Sequence, residues 1–100
     1  MQVYTIQYTY APASADRRAE LLEQHRTWLT GIEEDSRLLG AGVYADGDGA
    51  LLIIVSQDEA AVSAELARDP FVDAGLITNA DVRLWTPTWG PVGEIVAKTR

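Results

Sequence analysis

The residue of this sequence best suited to move protons is its one histidine, His25. Imidazole titrates close to physiological pH, so a histidine beside a cavity can accept or donate a proton. His25 lies in residues 21–29, LLEQHRTWL, where apolar residues recur at helical spacing. This pattern predicts an amphipathic helix with the imidazole on its inward face. A histidine in that position is also typical of a core residue bonded to a carbonyl or water, so spacing alone leaves both roles open.

Other kinds of chemistry have little support in the composition. The chain has no cysteine and only one histidine, so we expect no thiolate nucleophile and no metal site built from one chain. Residues 46–49, DGDG, resemble the start of a calcium loop but lack its distal ligands, and they predict a hairpin turn. No serine or lysine is placed convincingly as a nucleophile. The sequence therefore predicts no metal and no cofactor.

Charge and hydropathy exclude several classes of partner. The net charge is -7, which argues against binding to nucleic acid and to anionic membranes, because both need clustered cations. No apolar run is long enough to span a bilayer, and residues 1–20 lack the pattern of a signal peptide. We therefore expect a cytoplasmic protein whose partners are a small molecule and a second copy of itself. The expected organisation is one domain, residues 1–90, and a C-terminal tail, residues 91–100.

Four strands and two principal helices are predicted around His25. Capping residues mark the helix starts: Ser14 or Asp16 for the first, Ser56 of a capping box for the second, and Asp69 before Pro70 for a short turn that Gly75 ends. The predicted elements are a strand over 3–10, a helix to about 34, a glycine-rich strand over 36–44, an apolar strand over 50–55, a helix from Ser56 to about 67, and a strand over 81–86.

This order of elements predicts an α+β, ferredoxin-like βαββαβ fold, in which two helices cover one face of a four-stranded antiparallel sheet. Residues 50–55 are apolar on both faces, and residues of the last strand alternate between faces. The face without helices would therefore expose an apolar patch. We expect a homodimer that packs sheet against sheet, although Thr5, Gln7 and Thr9 could make this face polar enough for a monomer.

Several segments, taken in order, resemble the YCII-related proteins, which are dimeric α/β-barrel proteins. They are residues 23–29 around His25, residues 38–42, residues 49–54, the stretch DPFVDAGL of residues 69–76, and residues 85–87. The resemblance extends from Val3 to about Gly90. It implies an active site built on a histidine and an aspartate. It also implies a similarity to muconolactone-isomerase-like enzymes and to lyases or dehydrochlorinases of aromatic ring compounds.

Two departures from the family pattern affect the predicted site. Relatives often carry arginine or proline shortly before the histidine, where this chain has Leu22 and Glu23. Arg18, two turns earlier on the same face, could replace that anion contact. Relatives also often have Gly-Pro after the second strand, where this chain has Gly42 and Val43, so the rim of the pocket could differ in shape.

The function predicted from these observations is general acid-base catalysis by His25, with Asp69 accepting the proton of Nδ1. The reaction class would be that of a cofactor-free lyase or isomerase acting on a small cyclic or aromatic metabolite. Tyr8 and Tyr10 lie on one face of the first strand and could line the cleft and stabilise an oxyanion, unless they are core residues. The alternatives are a non-catalytic ligand-binding module and an accessory dimer.

Overall fold

A computed structural model describes residues 1–99 of the chain, and the side chains of residues 1–95. The described residues form four strands and four helices. In chain order these are β1 (Gln2–Tyr10), α1 (Ala15–Glu34), β2 (Leu38–Val43), β3 (Gly49–Ser56), α2 (Glu59–Leu66), α3 (Pro70–Asp73), β4 (Ile77–Trp85) and α4 (Pro91–Thr99).

The strands form one antiparallel sheet in the order β2-β3-β1-β4. This is the predicted α+β, ferredoxin-like arrangement, and the prediction of the fold class is confirmed. The glycine-rich β2 carries an irregularity between Leu38 and Gly40, as its glycines suggested. None of the described helices combines the length and hydropathy needed to cross a membrane.

The main core lies between the sheet and the helices α1 and α2. Alternation along β1 turns Tyr4, Ile6 and Tyr8 toward the helices, where all three are buried. Ile32 of α1 and Val62 of α2 pack against them. The same face of β3 supplies the remaining strand residues of this core, which are Ala50, Leu52 and Ile54.

The opposite face of the sheet has a smaller apolar cluster. Val3 and Val55 are buried there, and Val92 of α4 packs against them. The sequence predicted residues 91–100 only as a C-terminal tail; in the structure Pro91–Thr99 form the helix α4, while Arg100 lies outside the described residues. A proline at the first helical position and an apolar contact with the sheet explain why a helix forms there.

Two of the predicted helix caps also need correction. Ser56 is the buried last residue of β3, and the side chain of Asp58 caps α2 by accepting a hydrogen bond from the N–H of Ala61 at 2.8 Å. Ser14 does precede α1, but its side chain makes no cap hydrogen bond to the helix backbone. Its hydroxyl accepts instead from Nε of Arg18 at 3.0 Å.

The strand β4 begins at Ile77, four residues earlier than predicted, because β1 is long enough to pair with it over this length.

The backbone at Gly49 leaves no room for a side chain. A Cβ there would collide with the carbonyl oxygen of Tyr8 on the paired strand, whereas a Cβ at Gly31 of α1 would meet open space. We expect Gly49→Ala to lower the free energy of unfolding by about 1–3 kcal/mol, as overpacking does. Gly31→Ala should instead raise it, since alanine favours a helix by about 1 kcal/mol. Urea denaturation checks both variants, and equal stability of Gly49→Ala and the parent protein would contradict this packing.

A homodimer remains a prediction. Leu51 lies on the face of the sheet opposite α1 and is only half-buried within one chain. Light scattering should give the mass of two chains, and Leu51→Glu should give the mass of one, because a charge would be buried in the interface. Ala60→Glu, on the exposed surface of α2, is the matched control and should leave the mass unchanged. A monomeric parent protein at micromolar concentration would refute the prediction.

Candidate active site

Asp69 is the most deeply buried charged residue that the structure describes. It precedes α3, and its Oδ1 accepts a hydrogen bond from the N–H of Phe71 at 3.0 Å, as its expected role as a helix cap requires. The residue is 0% exposed. A carboxylate so deep in the protein requires hydrogen-bond donors, and two side chains from other elements supply them.

The first of these side chains is His25 of α1. Its Nδ1 lies 2.7 Å from Oδ1 of Asp69, so the cap of one helix also orients the imidazole of another. The ring stacks on Phe71, with 4.0 Å between centroids and an interplanar angle of 2°. When Nδ1 donates its proton to Asp69, Nε2 is the unprotonated nitrogen and can accept a proton.

The second side chain is Tyr8 of β1, whose hydroxyl donates to Oδ2 of Asp69 at 2.8 Å. Tyr8 is 1% exposed. Burial raises the pKa of Tyr8 well above its usual value, and the charge of Asp69 and the hydrogen bond to it raise this pKa further. The phenol therefore stays protonated and serves as a permanent donor to the carboxylate.

A cavity of about 280 Å³ opens beside His25, between α1 and the sheet. Its polar lining residues are Tyr8, Tyr10, His25 and Arg26, and the remaining lining is apolar or glycine: Leu22, Leu29, Ala41, Gly42, Val43, Ala50 and Leu52. Apolar walls with a few converging polar groups are typical of small-molecule sites. The described residues contain no group of acidic, histidine or cysteine side chains that could hold a metal ion.

Tyr10 and Arg18 form a unit at one end of this cavity. The guanidinium carbon of Arg18 lies 3.8 Å from the ring centroid of Tyr10, an arrangement that stabilises the cation on the aromatic face. Burial raises the pKa of Tyr10, although the charge of Arg18 opposes this effect. Arg18 itself lines a neighbouring cavity on the other side of Tyr10, so it meets the cavity of His25 only through the tyrosine.

The structure thus brings His25, Asp69 and Tyr8 into direct contact, with Tyr10 beside them and Arg18 behind Tyr10. Sequence reasoning gave no role to two residues that matter here. Phe71 supports the imidazole, and its place two residues after Asp69 was the available signal. Arg26 lines the cavity, and its signal was its position next to His25 in an amphipathic helix.

Tyr8→Phe tests the hydrogen bond to Asp69. The substitution leaves Oδ2 without its donor in a buried site, so we expect the free energy of unfolding to fall by about 1–3 kcal/mol. The loss of stability at alkaline pH should also differ between the parent protein and Tyr8→Phe. Unfolded tyrosine loses its proton near its ordinary pKa of 10.0 while native Tyr8 retains it, so the contribution of Tyr8 is complete below this pH and declines above it.

The measurement is urea denaturation of both proteins in neutral buffer and above the ordinary pKa of tyrosine. The loss of stability on moving to the alkaline buffer should be smaller in Tyr8→Phe than in the parent protein. Tyr44→Phe is the control, since Tyr44 bonds to Gln7 at the exposed surface. An equal alkaline loss in the parent protein and in Tyr8→Phe would contradict the role of the buried phenol.

Solved structures of similar fold come from several bacteria. One is TftG, the 5-chloro-2-hydroxyhydroquinone dehydrochlorinase of Burkholderia phenoliruptrix, in complex with 2,5-dihydroxybenzoquinone. Its sequence is 23% identical to this chain, and the TM-score is 0.74. The match covers 83% of this chain and 92% of that one. A NIPSNAP domain protein of Burkholderia xenovorans is 18% identical with a TM-score of 0.53, and the match covers 88% of this chain and 95% of that one. Rv0793 of Mycobacterium tuberculosis is 18% identical with a TM-score of 0.52, and the match covers 90% of this chain and 98% of that one. At these identities the likeness shows the fold.

A comparison with curated proteins found no match. The model of the YCII-related domain, in contrast, matches residues 1–86, a range that contains the sheet, α1, α2, α3 and every residue of the candidate site. The chain belongs to the YCII-related family.

Proposed function

We propose that the protein is a small enzyme that uses His25 as a general acid-base group, oriented by Asp69, on a small cyclic or aromatic metabolite. The reaction class is that of a lyase or an isomerase, and the scheme requires no cofactor. The observation that carries the proposal is the 2.7 Å contact between Nδ1 of His25 and the buried carboxylate of Asp69.

The hydrogen bonds of Asp69 support a catalytic role for His25 over a purely structural one. A histidine that only fills the core can be satisfied by a carbonyl or by water. Here a buried carboxylate bonds to Nδ1, which leaves Nε2 as the basic nitrogen, and His25 lines a cavity. Holding one tautomer and one ring orientation is what a general base requires of its partner.

The size and chemistry of the cavity support the substrate class. At about 280 Å³ it suits a molecule with a single ring, and its apolar walls favour a planar aromatic or cyclic body. The similar fold of TftG, a dehydrochlorinase of a chlorinated hydroquinone, supports elimination on a hydroxylated ring as the reaction type.

In the proposed mechanism Nε2 of His25 removes a proton from a carbon or hydroxyl group of the substrate. The electron pair left behind forms a double bond as a leaving group departs with its own electrons, or the proton returns at another carbon. Asp69 stabilises the imidazolium that forms. Tyr10 keeps its proton, because burial raises its pKa, and it donates a hydrogen bond to the oxygen that gains charge.

The proposed setting is a homodimer in the cytoplasm. The absence of cysteine from the sequence fits a reducing compartment, and the partly exposed apolar residues of the sheet support a second copy as partner.

His25→Ala separates a catalytic from a structural histidine. Hydroxylated and chlorinated hydroquinones, enol acids and lactones would be screened for turnover by the parent protein. We expect His25→Ala to remain folded while the rate falls by about 10²- to 10⁴-fold, the usual contribution of a positioned base. Gln24→Ala, on the exposed face of the same helix, is the matched control and should retain the rate. Binding without turnover by the parent protein would favour a ligand-binding module.

Asp69→Asn tests the coupling of the carboxylate to His25. Oδ1 meets both the N–H of Phe71 and Nδ1 of His25, and Oδ2 accepts from Tyr8. Asparagine offers one acceptor oxygen and an NH2 group that cannot accept a hydrogen bond, so the amide must turn its NH2 toward Tyr8 or toward His25, and the charge that stabilises the imidazolium is lost. A long-range ¹H–¹⁵N spectrum of neutral His25 should show the proton on Nδ1 in the parent protein and a mixture of tautomers in Asp69→Asn, with a parallel loss of rate. An unchanged tautomer and an unchanged rate would refute the proposed coupling.

A further inference from the structure

We propose that the ligand of the His25 cavity carries a carboxylate and that Arg26 binds it at the rim of the cavity. This inference rests on the proposed function and names the chemical class of its substrate: a small ring compound with an acidic group. Arg26 then selects ligands that carry a carboxylate, and His25 is the general acid-base group.

The position of Arg26 is the first argument. Arg26 follows His25 on α1 and lines the same cavity. It also lines a second groove, of about 360 Å³, between α1 and β2. Leu29 and Ala41 line both spaces as well, so the two are adjacent. Arg26 is solvent-exposed and therefore stands at the mouth of the cavity, where a charged group of the ligand can keep part of its hydration.

The absence of a partner for Arg26 is the second argument. Three arginines pair with carboxylates: Arg17 with Glu20 at 2.7 Å, Arg37 with Glu65 at 2.6 Å and Arg83 with Asp81 at 3.3 Å. Arg68 forms no ion pair among the described residues either, but it does not line the cavity of His25. None of the ion pairs or side-chain hydrogen bonds formed by the described residues includes the guanidinium of Arg26.

Acidic groups are not scarce in this protein. The chain has 15 aspartates and glutamates against 8 lysines and arginines, and Glu23 lies one turn before Arg26 on the same helix. Arginine at that spacing commonly pairs with glutamate. A guanidinium that remains unpaired in an acidic protein, and does so beside a cavity, is available to a ligand.

The lining of the cavity supports an anion over a cation. No acidic side chain lines it, since Asp69 lies behind His25 and Tyr8, which take both of its oxygens. A ligand cation would meet no counter-charge there. A carboxylate at the rim would meet the planar guanidinium, whose paired N–H groups match two oxygens. The ring of such a ligand would then reach the apolar walls beside His25.

The test compares two probes that differ in one charge, gentisate and its neutral isostere gentisamide, by isothermal titration calorimetry. We expect the parent protein to bind gentisate about tenfold more tightly, a preference of about 1.4 kcal/mol. The preference should shrink at high salt, because the contact is exposed. In Arg26→Gln the affinity for gentisate should fall to that for gentisamide, while the affinity for gentisamide stays constant.

Arg17→Gln is the matched control. It removes the same charge from the same helix at an exposed position, so it reproduces the change in net charge without touching the cavity, and it should keep the preference for gentisate. Equal affinities in the parent protein, a preference that survives in Arg26→Gln, or no binding of gentisate at millimolar concentration would each overturn the inference.

His25→Ala distinguishes this inference from the proposed function. The variant lacks the base but retains Arg26, so it should still prefer gentisate over gentisamide. If the parent protein turns over no compound and both proteins keep the preference, the acid-base function fails and the carboxylate site stands. If turnover depends on His25 but no charge preference exists, the function stands and the carboxylate site fails.

Discussion

The architecture of the candidate site depends on one buried carboxylate. Asp69 is 0% exposed and accepts hydrogen bonds from the backbone of Phe71, from His25 and from Tyr8. These donors belong to α3, α1 and β1, so a single side chain joins three elements that are far apart in sequence. The cost of leaving such a carboxylate without donors is large, and this cost constrains both helices and the strand to one relative arrangement.

The capping role of Asp69 and its proposed role in orienting His25 are complementary. The N–H of Phe71 holds Oδ1 in place from within α3, and the same oxygen then meets Nδ1 of His25. Phe71 also stacks on the imidazole. A four-residue helix therefore positions the histidine by a polar contact at one edge of the ring and an apolar contact on its face. Support of this kind, from a capped helix and a stacked ring, is what the proposed base requires.

The sheet divides the protein into a face that carries the site and a face that is only partly covered. Tyr8 belongs to the first face, and its hydroxyl reaches through the core to Asp69. On the second face α4 covers the end near Val3 and Val55 and leaves Leu51 half-buried. The backbone of Gly49 passes so close to the carbonyl oxygen of Tyr8 that no side chain fits there.

The sequence by itself determined the fold class, the inward position of His25 and the cap at Asp69, because each follows from local signals: hydrophobic periodicity, turn residues and the Asp-Pro pair. It did not predict the helix α4, of which Val92 packs against the distant Val3 and Val55, and it was wrong about Ser56, which belongs to β3. The contacts of Tyr8 with Asp69, and the placement of Arg18 behind Tyr10 while Arg26 lines the cavity, were decided only by the tertiary structure. These contacts depend on the distance between side chains of different elements and on the direction of each, and a linear pattern specifies neither.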